Sequence, residues 1–303
     1  MGPPLRTALA LGLLVAALPA CSVGVGAAGT SGVVQVVAAE NVWGSIAKQL
    51  GGSHVEVTSI VTNPNADPHD YEPTVADARA MAGGQLVIVN GIGYDPWAQK
   101  LLAANPVRGR AVLDVGNLVG VPAGGNPHQW YSPASVQRVI GAITSDYTKL
   151  DAKDAGYFAA RRSAFGTTGL REYRQLIATI RSRYAGTPVG ASESVFTPLA
   201  RALGLDLVTP ASFLTDVSEG VEPTAADKTT IDRQIQTRRI AVYVYNRQNA
   251  TPDVQRQIDE ARAAGIPVTT ITETLVPEHA TFQSWQAAQL RALLTALAMG
   301  AGR

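Results

Sequence analysis

Several features that would assign this chain of 303 residues to a class of protein are scarce or absent. It contains one cysteine, so no disulfide can form within the chain. Its formal net charge is +1, which argues against a nucleic-acid partner because such proteins normally present a basic face. The His-Glu-x-x-His pattern of many zinc proteases is missing. What remains is a globular composition, 46% hydrophobic and 16% charged.

Apolar runs of membrane-spanning length are also missing. The unbroken run from Ala8 to Leu18 follows a positive start at Arg6 and has the length of a signal-peptide core, too short for a membrane span. It ends in Leu-Pro-Ala-Cys-Ser, which resembles a bacterial lipobox and predicts that Cys21 becomes the lipidated first residue of the mature protein. The alternative is an ordinary secretory signal cut near Ala20. We therefore predict a signal peptide over 1–21 and a flexible tether, rich in Gly, Ala and Ser, over 22–32.

From residue 33 onwards, apolar runs of strand length alternate with amphipathic stretches of helical period. The predicted strands are 33–39, 55–61, 86–90, 111–115, 189–191, 205–208, 240–245 and 266–272. The predicted helices are 42–50, 74–81, 96–104, 133–150, 194–203, 252–264 and 281–299, a helix opening at Thr224, and a long helical region over 152–184 interrupted by glycines. This alternation predicts an α/β fold with two lobes of mostly parallel sheet. The expected lobes are 33–150 and 187–303, joined by a helical region over 151–186.

Two loops hold a histidine next to proline. His69 lies between Pro68 and Pro73, and His128 follows Pro127. Proline fixes φ and restricts its neighbours, so these imidazoles stand on stiff loops. A single histidine beside a proline is usually an ordinary loop residue. Two such loops in a chain with four histidines favour a metal site, because neutral imidazole is the commonest metal ligand.

The sequences around these histidines resemble a known family. Asp-Pro-His-Asp-Tyr-Glu-Pro-Thr at 67–74 and Asn-Pro-His-Gln-Trp at 126–130 look like the two histidine signatures of the zinc/manganese class (cluster A-I) of solute-binding lipoproteins that feed ABC importers. The resemblance covers most of residues 33 to 300. It implies a periplasmic-binding-protein-like fold in which a long helix joins the lobes. It also implies a monomer that captures Mn²⁺ or Zn²⁺ outside the membrane, hands it to an ABC permease and catalyses no reaction, held on the outer face of the membrane by a lipid on Cys21.

The resemblance also implies which residues complete the metal site. Glu193 takes the place of the third ligand, and Glu273 the place where the family usually has an aspartate. The alternatives are that Glu193 only favours a helix dipole and that Glu278 replaces Glu273. Two neutral histidines and two carboxylates carry a charge of −2, which cancels that of a divalent cation. Each histidine also needs an acceptor for its second ring nitrogen, for which the neighbours of His69, the aspartates at 67 and 70, are candidates.

The identity of the ion is not decided by ligand type alone, since a nitrogen/oxygen site binds zinc more strongly than manganese by the Irving–Williams order. Two carboxylates that can each be bidentate permit more than four contacts, and this slightly favours manganese. Many zinc-binding members of the resembled family carry a histidine- and acid-rich insertion before this position, and its absence before His128 points the same way. Two other functions are considered: a secreted metallohydrolase, and a surface adhesin or structural lipoprotein.

Overall fold

The computed structural model describes residues 1–2 and 32–302. The signal peptide, the lipidation of Cys21 and the tether are predictions that rest on residues 3–31, outside the described residues. Val33–Arg303 form one compact unit. No helix in the described part of the chain is both long and apolar enough to cross a membrane.

The first half of this unit is built on a four-stranded parallel sheet. Its strands are β1 Val34–Glu40, β2 Val55–Val61, β3 Leu86–Val89 and β4 Ala111–Asp114, in the order β2-β1-β3-β4. Successive side chains of a strand point to opposite faces, and here both faces are buried. Val36 and Ala38 lie in the main core, whereas Val37 and Ala39 pack on the opposite face. This explains why β1 is a continuous apolar run rather than an alternating one.

The second half repeats the arrangement. Its strands are β5 Pro188–Ala191, β6 Asp206–Leu207, β7 Tyr243–Asn246 and β8 Val268–Ile271, all parallel and in the order β6-β5-β7-β8. The expected fold class, two α/β lobes with parallel sheets, is confirmed.

The helices largely follow the sequence pattern. They are α1 Asn41–Gly51, α2 Val75–Gly83, α3 Pro96–Ala104, α4 Val115–Val119, α5 Pro133–Leu150, α6 Ala155–Ala164, α7 Arg171–Tyr184, α8 Thr197–Leu203, α9 Ala211–Ser218, α10 Ala225–Gln236, α11 Pro252–Ala263 and α12 Phe282–Gly300. The long helical region contains a π-helical turn, Phe165–Gly169, between α6 and α7. Its position matches the predicted glycine interruption.

Two short helices have no counterpart in the sequence prediction. In α4, the side chain of Asp114 accepts the Asn117 N–H at 2.8 Å and so caps a helix of five residues. Helix α9 begins directly after Pro210. Neither is long enough to show a clear period of 3.6 residues, which is why the sequence pattern did not reveal them.

The two sheets share one hydrophobic core. The main cluster of buried side chains includes residues of β1 and β3 as well as residues of β5 and β7. Tyr131, just before α5, donates to the Thr272 carbonyl after β8 at 2.6 Å. In each sheet all strands are parallel, so their carboxyl ends meet at one edge, where open α/β sheets usually bind ligands. The loops that leave β2, β5 and β8 at these edges carry His69, Glu193 and Glu273.

Candidate metal centre

His69 stands on a short turn that its own neighbours stabilise. Pro68–Asp70 form a 3₁₀ turn, and the Asp67 carboxylate accepts the main-chain N–H of His69 at 2.9 Å. The imidazole packs edge-on against Tyr94, with ring centroids 4.8 Å apart. Its Nε2 atom is buried and has no hydrogen-bond partner within the described residues. The structure thus places the Asp67 carboxylate against the main chain of His69.

His128 is fully buried, and its ring orientation is fixed by Asn126. The Asn126 amide N–H donates to the Ser194 carbonyl at 2.7 Å, so its oxygen faces the histidine. That oxygen accepts the His128 main-chain N–H at 3.0 Å and lies 3.1 Å from Nδ1. Because Oδ1 is an acceptor, the ring proton belongs on Nδ1, and Nε2 presents its lone pair to the site.

Glu193 follows β5 in an extended conformation and is 1% exposed. Its Oε1 accepts a hydrogen bond from the Ser218 hydroxyl at 3.3 Å. Its Oε2 is buried without a hydrogen-bond partner in residues 32–302. A carboxylate oxygen enclosed in this way is costly unless a proton or a cation lies beside it.

Glu273 follows β8 and connects most of the site. Its Oε2 lies 3.4 Å from His69 Nε2 and 3.2 Å from His128 Nε2, and accepts the Tyr94 hydroxyl at 2.8 Å. Its Oε1 accepts from Asn246 at 2.7 Å. Glu278, the alternative, is exposed and lines a different cleft together with His279.

All four predicted residues converge. One ligand atom from each of His69, His128, Glu193 and Glu273 lies within 4.8 Å of the others. Two come from loops of the first sheet and two from loops of the second. The remaining histidines are elsewhere: His54 pairs with Asp154 at 2.9 Å, and His279 is exposed.

The ionisation of the two glutamates differs because their neighbours differ. Burial, and then the negative charge of Glu273, raise the pKa of Glu193 well above its usual range. Burial alone would also raise the pKa of Glu273, but His128 and His69 beside it hold that pKa well below its usual range. Burial lowers the pKa of His128, which favours the neutral imidazole.

This donor set fits a divalent cation. Two imidazole nitrogens and two carboxylate oxygens lie close together. In the same residues, His69 Nε2 and Glu193 Oε2 have no hydrogen-bond partner among the described residues. Such oxygen and nitrogen donors bind first-row transition metals in proteins. A bound cation would take the place of the proton that the raised pKa assigns to Glu193.

Three residues of the site were missed by sequence reasoning: Tyr94, Asn246 and Ser218. Tyr94 follows the turn at Gly91–Gly93, in which all three residues have positive φ. The glycines predicted a turn at this position, but they gave no indication that the Tyr94 side chain would reach the site. Asn246 ends β7, at the same sheet edge as the loop that carries Glu273. Ser218 lies at the end of the unpredicted α9.

Comparisons with known proteins identify the family and the fold of the chain. A family model described as the periplasmic zinc-uptake complex component A (ZnuA) matches residues 36–296. The manganese-binding lipoprotein MntA of Halalkalibacterium halodurans is 26% identical over 208 residues, covering 65% of this chain and 67% of MntA. The manganese ABC transporter substrate-binding lipoprotein PsaA of Streptococcus pneumoniae is 25% identical over 259 residues, covering 79% of each chain. The Mn-bound periplasmic metal-binding protein of Candidatus Liberibacter asiaticus superposes with a TM-score of 0.71 at 18% identity, covering 87% of this chain and 99% of that one, and so shares the fold.

Proposed function

The chain belongs to the family of the periplasmic zinc-uptake component A, and from that premise we propose that it captures a divalent transition metal between its two lobes and delivers it to an ABC permease. The observation that carries this proposal is the convergence of four ligand atoms within 4.8 Å. The ion, Mn²⁺ or Zn²⁺, is cargo. Metal-binding relatives whose names include "lipoprotein" and "ABC transporter" support the transport role.

The proposed ligands are tested by the stabilisation that metal gives to the folded chain. A ligand stabilises the native state according to its affinity, so the parent should melt at a higher temperature with Zn²⁺ or Mn²⁺, and calorimetry should find one ion per chain. His69→Ala and His128→Ala should each remove most of this stabilisation. His279→Ala is the matched control, because this exposed histidine is remote from the cluster, and it should respond like the parent. Equal metal responses in all four proteins would contradict the assignment.

We also propose that no reaction is catalysed. Catalytic metal sites keep a position open for water, whereas His128, Glu193 and Glu273 are each at most 1% exposed here. Incubation of the metal-loaded protein with ester, amide and phosphoester substrates should give no turnover. Hydrolysis that a chelator abolishes would favour a metallohydrolase instead.

The transport role separates this proposal from a surface adhesin or a structural lipoprotein. Deleting the gene should lower cellular manganese or zinc and slow growth in metal-poor medium, and added metal should restore growth. Reintroducing the parent gene should restore uptake, while a copy carrying His69→Ala and His128→Ala should not. Unchanged metal uptake in the deletion strain would contradict the transport role.

For its location, we propose that a lipid on Cys21 anchors the protein to the outer face of the membrane and that the chain acts as a monomer. Cells fed labelled palmitate should label the parent and not Cys21→Ser. An unlabelled, released parent protein would indicate ordinary signal cleavage near Ala20.

A further inference from the structure

In each carboxylate of the metal centre, Oε1 accepts a hydrogen bond from a side chain of the second half of the molecule. Oε1 of Glu273 accepts the Asn246 amide N–H at 2.7 Å, and Oε1 of Glu193 accepts the Ser218 hydroxyl at 3.3 Å. The surroundings of the two Oε2 atoms are different. Oε2 of Glu273 lies beside both histidine Nε2 atoms and accepts the Tyr94 hydroxyl, whereas Oε2 of Glu193 has no hydrogen-bond partner in the described structure.

The donor that engages Glu273 is held in one orientation. Asn246 is fully buried at the end of β7, where its main-chain N–H donates to Ser192 Oγ at 3.1 Å. Its side-chain oxygen accepts the Gln248 main-chain N–H at 3.0 Å. With the oxygen engaged, the amide directs its NH2 group towards the two carboxylates, and Glu273 accepts one of its hydrogens.

The donor that engages Glu193 is oriented in a similar way. The Ser194 hydroxyl donates to Ser218 Oγ at 2.9 Å. A hydroxyl has a single hydrogen, so Ser218 accepts from Ser194 and gives its own hydrogen to Glu193. Both donors are buried, although Ser218, 4% exposed, lies at the edge of the cleft that His69 lines.

We propose, resting on the metal-capture function above, that Asn246 and Ser218 keep both glutamates monodentate, so that the chain supplies four donor atoms and selects a cation that prefers four ligands, as Zn²⁺ does. Zinc sites built from nitrogen and oxygen ligands are typically tetrahedral. Manganese is better suited by oxygen-rich sites of higher coordination number. This reverses the slight preference for manganese that two potentially bidentate carboxylates indicate from the sequence.

The burial of the site strengthens this selection. An ion that requires more than four ligands would need water, and three of the four ligand residues are at most 1% exposed. Only the His69 side chain, 21% exposed, reaches the cleft that it lines with Asp67 and Tyr94. Additional ligands could therefore enter from one side only.

The test is X-ray absorption on the zinc-loaded protein together with competition between Zn²⁺ and Mn²⁺. The parent should show four nitrogen and oxygen neighbours around zinc. Asn246→Leu removes the donor to Glu273 at similar side-chain volume and frees Oε1, so the coordination number of zinc should rise. The ratio of zinc to manganese affinity should fall by roughly tenfold, which is the lower end of the effects seen for groups that hold metal ligands. Ser218→Ala should shift both quantities in the same direction with little risk to folding.

Asn249→Leu is the matched control, since this asparagine of the same loop donates to the Val217 carbonyl at 3.1 Å and touches neither carboxylate. Five or more ligand atoms around zinc in the parent would overturn the proposal. So would unchanged coordination and affinity ratio in Ser218→Ala and in a folded Asn246→Leu protein, with folding judged by melting of the metal-free form. A parent protein that binds neither ion would contradict the proposed function itself, and this inference with it.

Discussion

At the scale of single residues, the metal centre contains two buried glutamates that need different partners. Histidines surround Glu273 and keep it ionised, while Glu193 faces another carboxylate with an unpartnered oxygen. The raised pKa of Glu193 means that the metal-free folded chain holds a proton there which the unfolded chain releases near its ordinary value of 4.5. Metal binding should therefore release protons, and affinity should decrease in acid.

The substitution Glu193→Gln should separate the effect of this buried carboxyl group on stability from its role as a metal ligand. Its effect on the melting temperature should have opposite signs without and with metal. The free energy of unfolding should decrease as pH rises from 4.5 to the raised pKa of Glu193 in the folded chain, because over this range the unfolded chain binds fewer protons than the folded chain. The metal-free Gln variant should thus melt above the parent at neutral pH, and the difference should shrink towards pH 4.5. With saturating Zn²⁺ the order should reverse, because a ligand is lost. The measurement is melting temperature against pH, and a variant less stable than the parent in both forms would contradict this account.

Tyr94 is expected to increase metal affinity through its hydrogen bond to Glu273, without contacting the metal itself. Its hydroxyl is buried and donates to Glu273 Oε2 at 2.8 Å. Tyr94→Phe removes that bond, and losing such a partner of a ligand typically costs about 10- to 100-fold in metal affinity. Tyr147→Phe is the control, because Tyr147 is also a buried phenol and donates to the Ala47 carbonyl at 3.0 Å, away from the site. Calorimetric titration with Zn²⁺ should distinguish the two variants, and equal affinities would argue against this role of Tyr94.

At the scale of elements, one side chain joins the loop of His69 to the loop of Glu273. Gln248 follows β7 and accepts the Glu273 main-chain N–H at 2.6 Å. Its amide N–H group donates to the Ala66 carbonyl at 2.9 Å and to Thr274 Oγ1 at 2.8 Å. It therefore connects the first half of the molecule to the second directly beside the ligands.

Gln248→Leu should weaken metal binding while leaving the four ligands unchanged. Freed of these bonds, the 62–67 loop should exchange its amide hydrogens faster in the metal-free protein, because local opening costs less. Gln255→Leu, on the surface of α11, removes only a side-chain bond to Asp259 at 3.1 Å and serves as control. Hydrogen exchange by mass spectrometry measures the effect. Equal loop exchange in both variants would contradict the linking role.

The sequence predicted the four ligands but not the side chains that orient them. His69, Glu193 and Glu273 lie on loops that leave predicted strands, at the sheet edges where ligands usually bind. That they meet at one site with His128 was implied by the family resemblance. The capping box of α2, in which Thr74 and Asp77 bond reciprocally, was also readable from spacing. The partners that fix each ligand atom were not, because Tyr94, Asn246 and Ser218 act through tertiary contacts that no local period encodes.

At the scale of the whole molecule, the metal centre and the hydrophobic core join the same two halves. One cluster of buried side chains extends from β1 and β3 to β5 and β7. Across the site, hydrogen bonds from Asn126 to Ser194 and from Tyr94 to Glu273 link the halves again. A cation bound by two residues from each half would add a further connection between the halves. Metal binding should therefore strengthen their association.

The most direct test is a crystal structure of the protein grown with Zn²⁺ or Mn²⁺, with anomalous scattering recorded at the absorption edge of the metal. We predict one strong peak within bonding distance of His69 Nε2, His128 Nε2, Glu193 Oε2 and Glu273 Oε2. A peak at another cluster, such as His54 with Asp151 and Asp154, and none between these four side chains would contradict the account.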